Sequence, residues 1–201
     1  MNLWILTEER PKIEVLKQIL NKFAKDQTFA AFINTLRILP VIDNNRFTFT
    51  YEVIGFECKK VDRVLIKTVS GNSSFVDFLV FFQTAEPQIE DQPIYAIEET
   101  KTDDSESRNT GVYQRCSKFV FLNYYYPSVK KIMLYNLQIQ QKETPTATNI
   151  FGTRMLLTLG VEILGKKLDP SIFIPFTSIN DLIDCKNKMR RPPAGNVPIT
   201  I

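Results

Sequence analysis

The spacing of apolar residues changes several times along the chain, and each change predicts a new element. A short apolar run at residues 4–6 predicts a strand. Apolar residues then recur at helical spacing over residues 13–25, after Pro11, which stands where proline is tolerated at the start of a helix. The same spacing predicts a second helix over residues 29–39, which ends before Pro40.

The middle of the chain has the period of two that is typical of strands. Apolar and polar residues alternate over residues 47–53, and a further strand is predicted at residues 61–69. Residues 75–82 are apolar on both faces apart from Asp77, which predicts a central strand of a sheet. The next strand is predicted at residues 94–101. Strands spaced this closely favour antiparallel hairpins.

Predicted helices and strands alternate in the second half of the chain. The predicted elements are a helix at 111–125, a strand at 132–139, a helix at 149–164, a strand at 172–176 and a short helix up to 188 that begins at a capping box of Ser178 and Asp181. Alternation of this kind favours parallel crossovers. The predicted fold class is therefore α/β, with a mixed central β-sheet flanked by helices.

The whole chain, residues 1–201, is predicted to form a single domain. It shows no internal repeat and no linker, and 201 residues that are 44% hydrophobic are sufficient for one core. Residues 192–201 end on an apolar stretch, which indicates either an edge strand or a shortened chain.

The absence of histidine excludes more kinds of chemistry than any other count in the composition. Without an imidazole there is no Ser-His-Asp or Cys-His catalysis, no zinc site with histidine ligands and no nuclease with a histidine base. Catalysis by this chain must therefore use carboxylates, lysine, a thiol or a metal held by oxygen ligands.

Charge and cysteine content constrain the partners only loosely. The net charge of +3 is compatible with a polyanionic partner but does not require one. The three cysteines lie too far apart for a disulfide framework or a C-x-x-C motif, so we expect buried reduced thiols. No apolar run approaches the ~18 residues of a membrane span, so we expect a cytoplasmic protein without membrane association.

The segment from Gly160 to Lys167 nearly spells a phosphate-binding P-loop. Lys167 replaces the Ser or Thr that binds magnesium, and the glycines fall at the end of a predicted helix. We therefore predict no nucleotide cofactor, and expect Gly165 to end the helix instead.

Asp77, Glu99 and Lys101 are the strongest candidates for a catalytic site. An ionised carboxylate in an apolar strand such as that around Asp77 costs several kcal/mol unless donors or a cation satisfy it. Alternation in the strand at 94–101 places Glu99 and Lys101 on one face, close to where a paired strand presents Asp77. Two carboxylates and a backbone carbonyl are hard oxygen ligands suited to Mg²⁺, and a neighbouring lysine can orient or deprotonate a metal-bound water.

A purely structural interpretation of the same residues also stands. Glu99 and Lys101 are then surface charges on an edge strand, and Asp77 meets an arginine such as Arg63. Glu98 is a second candidate ligand if a bulge shifts the strand register.

The order of these residues resembles the PD-(D/E)xK nuclease superfamily. Val76-Asp77 stands at the position of Pro-Asp, and Glu99-Thr100-Lys101 provides the Glu-x-Lys triplet. The segment at 108–119 is similar to the helix-opening run of the EcoRI/MunI group of restriction endonucleases. Two departures, Gln114 for a glutamate and Asn109 before the glycine, prevent the recognition sequence from being carried over.

The resemblance implies a type II restriction endonuclease that cuts double-stranded DNA and leaves 5'-phosphate ends. It implies that Asp77, Glu99 and the Thr100 carbonyl hold Mg²⁺ and that Lys101 serves the attacking water. Because restriction breaks both strands, it also implies a homodimer on a palindromic site. The alternatives are another nuclease of the superfamily, in repair or junction resolution, and a non-catalytic DNA-binding module.

Residue types after the Glu-x-Lys strand are those that read base edges. Arginine binds guanine and Asn or Gln binds adenine through paired hydrogen bonds. The predicted DNA-binding residues are Arg108, Asn109, Gln114, Arg115 and Lys118. The alternative is an ordinary exposed loop and helix start. Residues 124–126, three tyrosines, are expected at a buried or dimer-interface helix end, with base stacking as the alternative.

Overall fold

The computed structural model describes residues 1–69, 76–100, 111–136 and 145–188, and of residues 111–114 it describes the backbone alone. In these ranges the chain forms eight strands and four helices. The strands are β1 (Asn2–Thr7), β2 (Ala31–Asp43), β3 (Arg46–Cys58), β4 (Val64–Thr68), β5 (Phe78–Gln83), β6 (Tyr95–Thr100), β7 (Lys130–Tyr135) and β8 (Glu162–Leu164). The helices are α1 (Ile13–Asp26), α2 (Gly111–Tyr125), α3 (Ala147–Thr158) and α4 (Ile179–Lys188).

All eight strands belong to one mixed sheet, in the order β2-β3-β4-β1-β5-β6-β7-β8. The strand β3 is antiparallel to both of its neighbours, β2 and β4, and β4 is parallel to β1. The pairs β1–β5 and β5–β6 are antiparallel, whereas β6, β7 and β8 run parallel. The predicted α/β class with a mixed sheet flanked by helices is confirmed.

Helices cover the two faces of this sheet with separate apolar clusters. Alternation along β6 sends Tyr95 and Ile97 into the main core, which they share with α1, and Ala96 into a second core, which it shares with α2 and α3. The apolar face of α1 consists of Val15, Leu16, Ile19, Leu20 and Phe23, each 0–1% exposed. Each fully buried side chain of this size contributes roughly 1.5–3 kcal/mol to folding. The helix predicted over residues 13–25 is therefore confirmed as α1.

The helix predicted over residues 29–39 is wrong, because this segment is the edge strand β2. It pairs with β3, so that Ile38 stands opposite Val53, and both side chains pack in or against the main core. Tertiary pairing outweighs local apolar spacing here. Pro40 is accommodated because an edge strand has one side on which a missing N–H costs no ladder bond.

Two further predictions in the second half of the chain are wrong. The helix predicted over residues 149–164 ends at Thr158, and Gly160, at φ 70°, turns the chain into β8. The helix therefore ends before Gly160, and Gly165 follows a strand. Residues 172–176, predicted as a strand, are described without one.

Several smaller expectations can also be compared with the structure. The backbone N–H of Asp181 donates to Ser178 Oγ at 3.2 Å, which confirms the cap of α4. Cys116 and Cys185 are buried free thiols, whereas Cys58 is half-buried. Among the described helices, none is both long and apolar enough to cross a membrane.

A network of charges joins the end of α1 to the starts of β6, β7 and β8. Lys22 Nζ lies 2.6 Å from Asp26 Oδ1 and 2.8 Å from Glu162 Oε2. Lys130 Nζ and the Tyr95 hydroxyl donate to Asp26 Oδ2 at 2.8 and 2.9 Å. Burial opposes ionisation of Asp26, but these hydrogen bonds outweigh it and lower the pKa of the carboxyl to about 2.

We expect Asp26→Asn to lower the free energy of unfolding at pH 7 by about 3 kcal/mol, because it removes the carboxylate that Lys22 and Lys130 share. Since the folded-state pKa is lowered, this contribution is present above the unfolded pKa of roughly 4 and is lost as the pH falls towards 2. Urea unfolding from pH 7 to pH 2 measures both effects. The exposed Asp184→Asn is the control, and equal losses in the two variants would contradict the stabilising role of the network.

Candidate active site

Asp77 and Glu99 lie at the end of the sheet where β1, β6 and β7 end and β5 begins. The register places Thr7, the last residue of β1, opposite Phe78, and Phe78 opposite Ile97 of β6. Ligands of open α/β sheets bind outside the carboxyl ends of the strands, which here include β1, β6 and β7. The sheet thus gathers its chemistry-bearing residues at this edge.

Asp77 and Glu99 are held together by a backbone hydrogen bond. Asp77 Oδ2 accepts from the Glu99 N–H at 2.6 Å. Asp77 lies just before β5 and is half-buried, so it is outside the strand in which it was expected. Its carboxylate therefore satisfies a backbone donor at the open end of the β5–β6 hairpin, and it does not interrupt an apolar strand.

The structural alternative, in which an arginine neutralises Asp77, does not occur with Arg63. The Arg63 guanidinium donates two hydrogen bonds of 2.9 Å to the two carboxylate oxygens of Glu52. The described hydrogen-bond partner of the Asp77 carboxylate is therefore the Glu99 N–H and not Arg63.

Asn136 supports Glu99 from the adjacent strand, and it was not predicted from the sequence. Its Nδ2 donates to Glu99 Oε1 at 3.1 Å, and its backbone N–H donates to the Thr100 carbonyl at 2.9 Å. Asn136 follows directly after the last residue of β7. The sequence signal was a polar residue at the carboxyl end of a buried parallel strand. It was missed because the strand was predicted to continue to residue 139, which placed Asn136 inside it.

The Thr100 carbonyl faces away from Asp77. The Glu99 N–H points towards Asp77 and β5, whereas the Thr100 oxygen points towards β7, where Asn136 donates to it. One lone pair of that oxygen is therefore occupied. A role of Thr100 as a metal ligand stays a prediction.

Glu98 lies on the opposite face of β6 and is 2% exposed. Lys118 Nζ is 2.7 Å from one carboxylate oxygen, and Arg115 Nε is 3.8 Å from the other. Burial, followed by the nearby charge of Asp77, raises the pKa of Glu98, and the two cations oppose the rise. Glu98 therefore anchors the helix α2 to the sheet.

Two of the predicted DNA-binding residues, Arg115 and Lys118, have described side chains. Lys118 pairs with Glu98, while Arg115 also faces the cavity beside Asp77 and Glu99. Lys101, Arg108 and Asn109 lie outside the described residues, as does the side chain of Gln114. The DNA contacts of Arg108, Asn109, Gln114, Arg115 and Lys118 stay predictions, as does the catalytic role of Lys101.

The tyrosines at the end of α2 are largely exposed. Tyr124 is 82% and Tyr125 66% exposed, so the expectation of a buried helix end is wrong for these two. Their rings pack edge to face, with centroids 5.1 Å apart. A dimer interface at this position stays a prediction.

An open cavity of about 500 Å³ lies in front of the carboxylate pair. Asp77, Glu99 and Arg115 line one side of it, and the segment that leads from β1 into α1 lines another. That segment contributes Glu8, Glu9, Arg10 and Lys12, all exposed. A run of charges directly after a buried strand was the signal for these residues, and they were not predicted.

The described donor set matches a hard divalent cation. Asp77 and Glu99 each have one carboxylate oxygen engaged by a described donor, and each retains a second oxygen. Mg²⁺ is commonly bound by one or two carboxylates together with waters and a phosphate. Within the described part of the chain, no three His, Cys, Asp or Glu side chains form a group able to hold a metal on their own.

Comparisons with known proteins do not identify a relative. No family model, no curated protein and no solved structure matches the chain.

We expect Lys118→Met to lower the free energy of unfolding by about 2 kcal/mol, because Glu98 is left buried with Arg115 as its remaining described cation. The double variant Glu98→Gln/Lys118→Met should regain most of this loss, since it removes the buried charge as well. Urea unfolding of the single and double variants measures the coupling.

The matched control is Arg63→Met, which breaks the more exposed ion pair to Glu52 and should cost less than about 1 kcal/mol. A Lys118 effect no larger than this control would contradict the anchoring role of Glu98.

Proposed function

We propose that this protein is a magnesium-dependent type II restriction endonuclease with a PD-(D/E)xK core. The observation that carries the proposal is the hydrogen bond from the Glu99 N–H to Asp77, which joins two acidic residues that line one cavity at the open end of a hairpin. They face a polar cavity large enough for a hydrated cation and a phosphate group. The helix α2 follows this hairpin and brings Arg115 to the same cavity.

Asp77 and Glu99 would hold Mg²⁺ through their remaining oxygens. The bound ion would supply charge stabilisation at the phosphate and a water of lowered pKa. Asn136 fixes the orientation of Glu99, and the Asp77 hydrogen bond fixes the second carboxylate. Such neighbouring hydrogen bonds orient the side chains that hold a metal and tune its affinity.

Lys101 directly follows Thr100 in sequence and would serve the attacking water. Arg115, whose side chain is 25% exposed and lines the same cavity, would contact the DNA. The expected products are a 5'-phosphate and a 3'-hydroxyl. Cleavage of both strands by one site per chain favours a homodimer, which is part of the proposal.

We expect plasmid DNA in Mg²⁺ to be cut into discrete bands, and excess EDTA to abolish cleavage. Asp77→Asn, Glu99→Gln and Lys101→Ala should each lower the rate by at least about 10²-fold, because each removes charge stabilisation or water activation at the phosphate. Asn136→Ala should raise the Mg²⁺ concentration for half-maximal cleavage by about tenfold, since it loosens Glu99.

The control Glu57→Gln removes an exposed carboxylate at the opposite end of β3 and should leave the rate unchanged. Full activity of Asp77→Asn, or activity in excess EDTA, would refute the metal site. Cleavage of branched DNA with no discrete plasmid bands would instead indicate a structure-specific nuclease of the same superfamily.

We expect Arg115→Ala to weaken DNA binding by about 1–3 kcal/mol and to relax the preference at one base position in each half-site, if the guanidinium reads a base. Fragment-end sequencing and binding titrations against single-base variants of the mapped site measure this. Uniform weakening across all sequences, with a shallower salt dependence, would contradict base readout and make Arg115 a phosphate contact.

A further inference from the structure

The hairpin between β2 and β3 ends in an arm of residues 42–49 that exposes large apolar side chains. Phe47 and Phe49 are each 76% exposed, and Ile42 is 57% exposed. Ile42 stands opposite Phe47 across the hairpin, so the group is concentrated at the tip. A cluster of exposed apolar residues of this size marks an interaction surface.

The register of the sheet places this arm beyond the edge that carries the candidate active site. Thr50 pairs with Lys67, one residue before the end of β4. Arg46 lies four residues before Thr50 in β3, and thus three positions beyond the end of β4, so the arm extends about 10 Å past that end at 3.3 Å per residue. The end of β4 is therefore the base from which the arm projects.

The same register gives the lateral distance to the carboxylates. Thr68 at the end of β4 pairs with Thr7, and Thr7 pairs with Phe78, the residue after Asp77. The strands β3 and β5 are three places apart in the sheet, which is about 14 Å at the usual strand spacing. A duplex roughly 20 Å wide that enters the cavity at Asp77 thus lies within reach of the arm.

Local hydrogen bonds hold the arm in shape. Asn44 and Asn45 both have positive φ, at 47° and 61°, which forms the two-residue turn that matches the twist of a hairpin. Thr48 Oγ1 donates to the Val41 carbonyl at 2.9 Å and accepts from the Thr50 N–H at 3.2 Å. An arm ordered before binding loses little conformational entropy on contact with a partner.

We infer that this arm binds double-stranded DNA beside the cut site, with Phe47 and Phe49 wedged between base steps from the minor groove; this inference rests on the proposed nuclease function. Minor-groove proteins that kink DNA combine apolar wedges with Asn, Gln, Arg or Lys side chains. The tip supplies both parts, since Asn44, Asn45 and Arg46 precede the two phenylalanines. Asn44, Asn45 and Arg46 are all exposed, so their side-chain donors are available to the acceptor groups of a duplex.

Insertion of the wedge from the minor groove would bend the duplex towards its major groove. Pyrimidine–purine steps unstack most easily, so the arm would favour such steps a few base pairs from the cut. It would thereby add specificity at positions that α2 does not contact.

The test uses the recognition site mapped by the plasmid digest, placed in a 30-bp duplex with 2-aminopurine at the flanking steps and a dye at each end. All proteins carry Asp77→Asn to prevent cleavage. We expect the parent protein to raise 2-aminopurine fluorescence and end-to-end energy transfer, and Phe47→Ala/Phe49→Ala to abolish both signals while binding weakens by about tenfold or more.

Phe32→Ala is the matched control, because Phe32 is a 61% exposed phenylalanine at the other end of the same hairpin. It should behave as the parent, and all variants should keep the parent melting temperature.

Parent-like unstacking and bending by the double variant would overturn the wedge while leaving the nuclease proposal intact. If the double variant sediments as a monomer but still bends the duplex, the wedge is likewise overturned and the arm is a protein interface. A wild-type protein that neither cuts nor binds DNA would overturn both proposals.

Discussion

The antiparallel pairing of β5 with β6 is the constraint on which the candidate site depends. Phe78 opposite Ile97 fixes the register, and this register alone brings the Asp77 carboxylate to the N–H of Glu99. A slip of one residue would send Glu99 to the face of α2 and Glu98 to the face of α1. Because β5 and β6 lie inside the sheet, with β1 and β7 as their outer neighbours, such a slip would also expose core residues on both faces. The site is therefore fixed by the same interactions that fold the sheet.

The three acidic residues around this hairpin differ in role because they differ in surroundings. Asp77 and Glu99 lie at the rim, with donors on one oxygen and space in front of the other. Glu98, one residue away, is enclosed by the second core and neutralised by Lys118 and Arg115. Arg115 therefore contacts the buried carboxylate on one side and the cavity on the other. Any change in the position of α2 would be transmitted to the cavity through this side chain.

The sequence predicted what depends on strong local periodicity and failed where partners distant in sequence decide. Helical spacing in α1 agreed with its burial, so the helix formed where it was expected. The same spacing in residues 29–39 was overruled by pairing with β3, which no local pattern reports. Likewise Gly160, a glycine within an apolar stretch, ended α3 at a position that spacing alone could not identify.

The candidate site shows the same division. Alternation along β6 separated Glu99 from Glu98 correctly, since it needs only the local period of two. Asn136 and the Glu8–Lys12 segment reach the site through β7 and β1, which are adjacent to β6 and β5 only in the folded sheet. Their proximity depends on topology, so the linear order of residues could not reveal it.

The central position of β1 in the sheet affects how the chain folds during its synthesis. β1 leaves the ribosome well before its sheet neighbours β4 and β5, which end some 60 and 75 residues later. The α1 terminus waits longer still, because Asp26 binds Lys130 across 104 residues. Proteins with such distant pairings fold slowly, and their early apolar strands stay unpaired for longer. The apolar residues of β1 therefore stay without their sheet partners until the middle of the sheet has been synthesised.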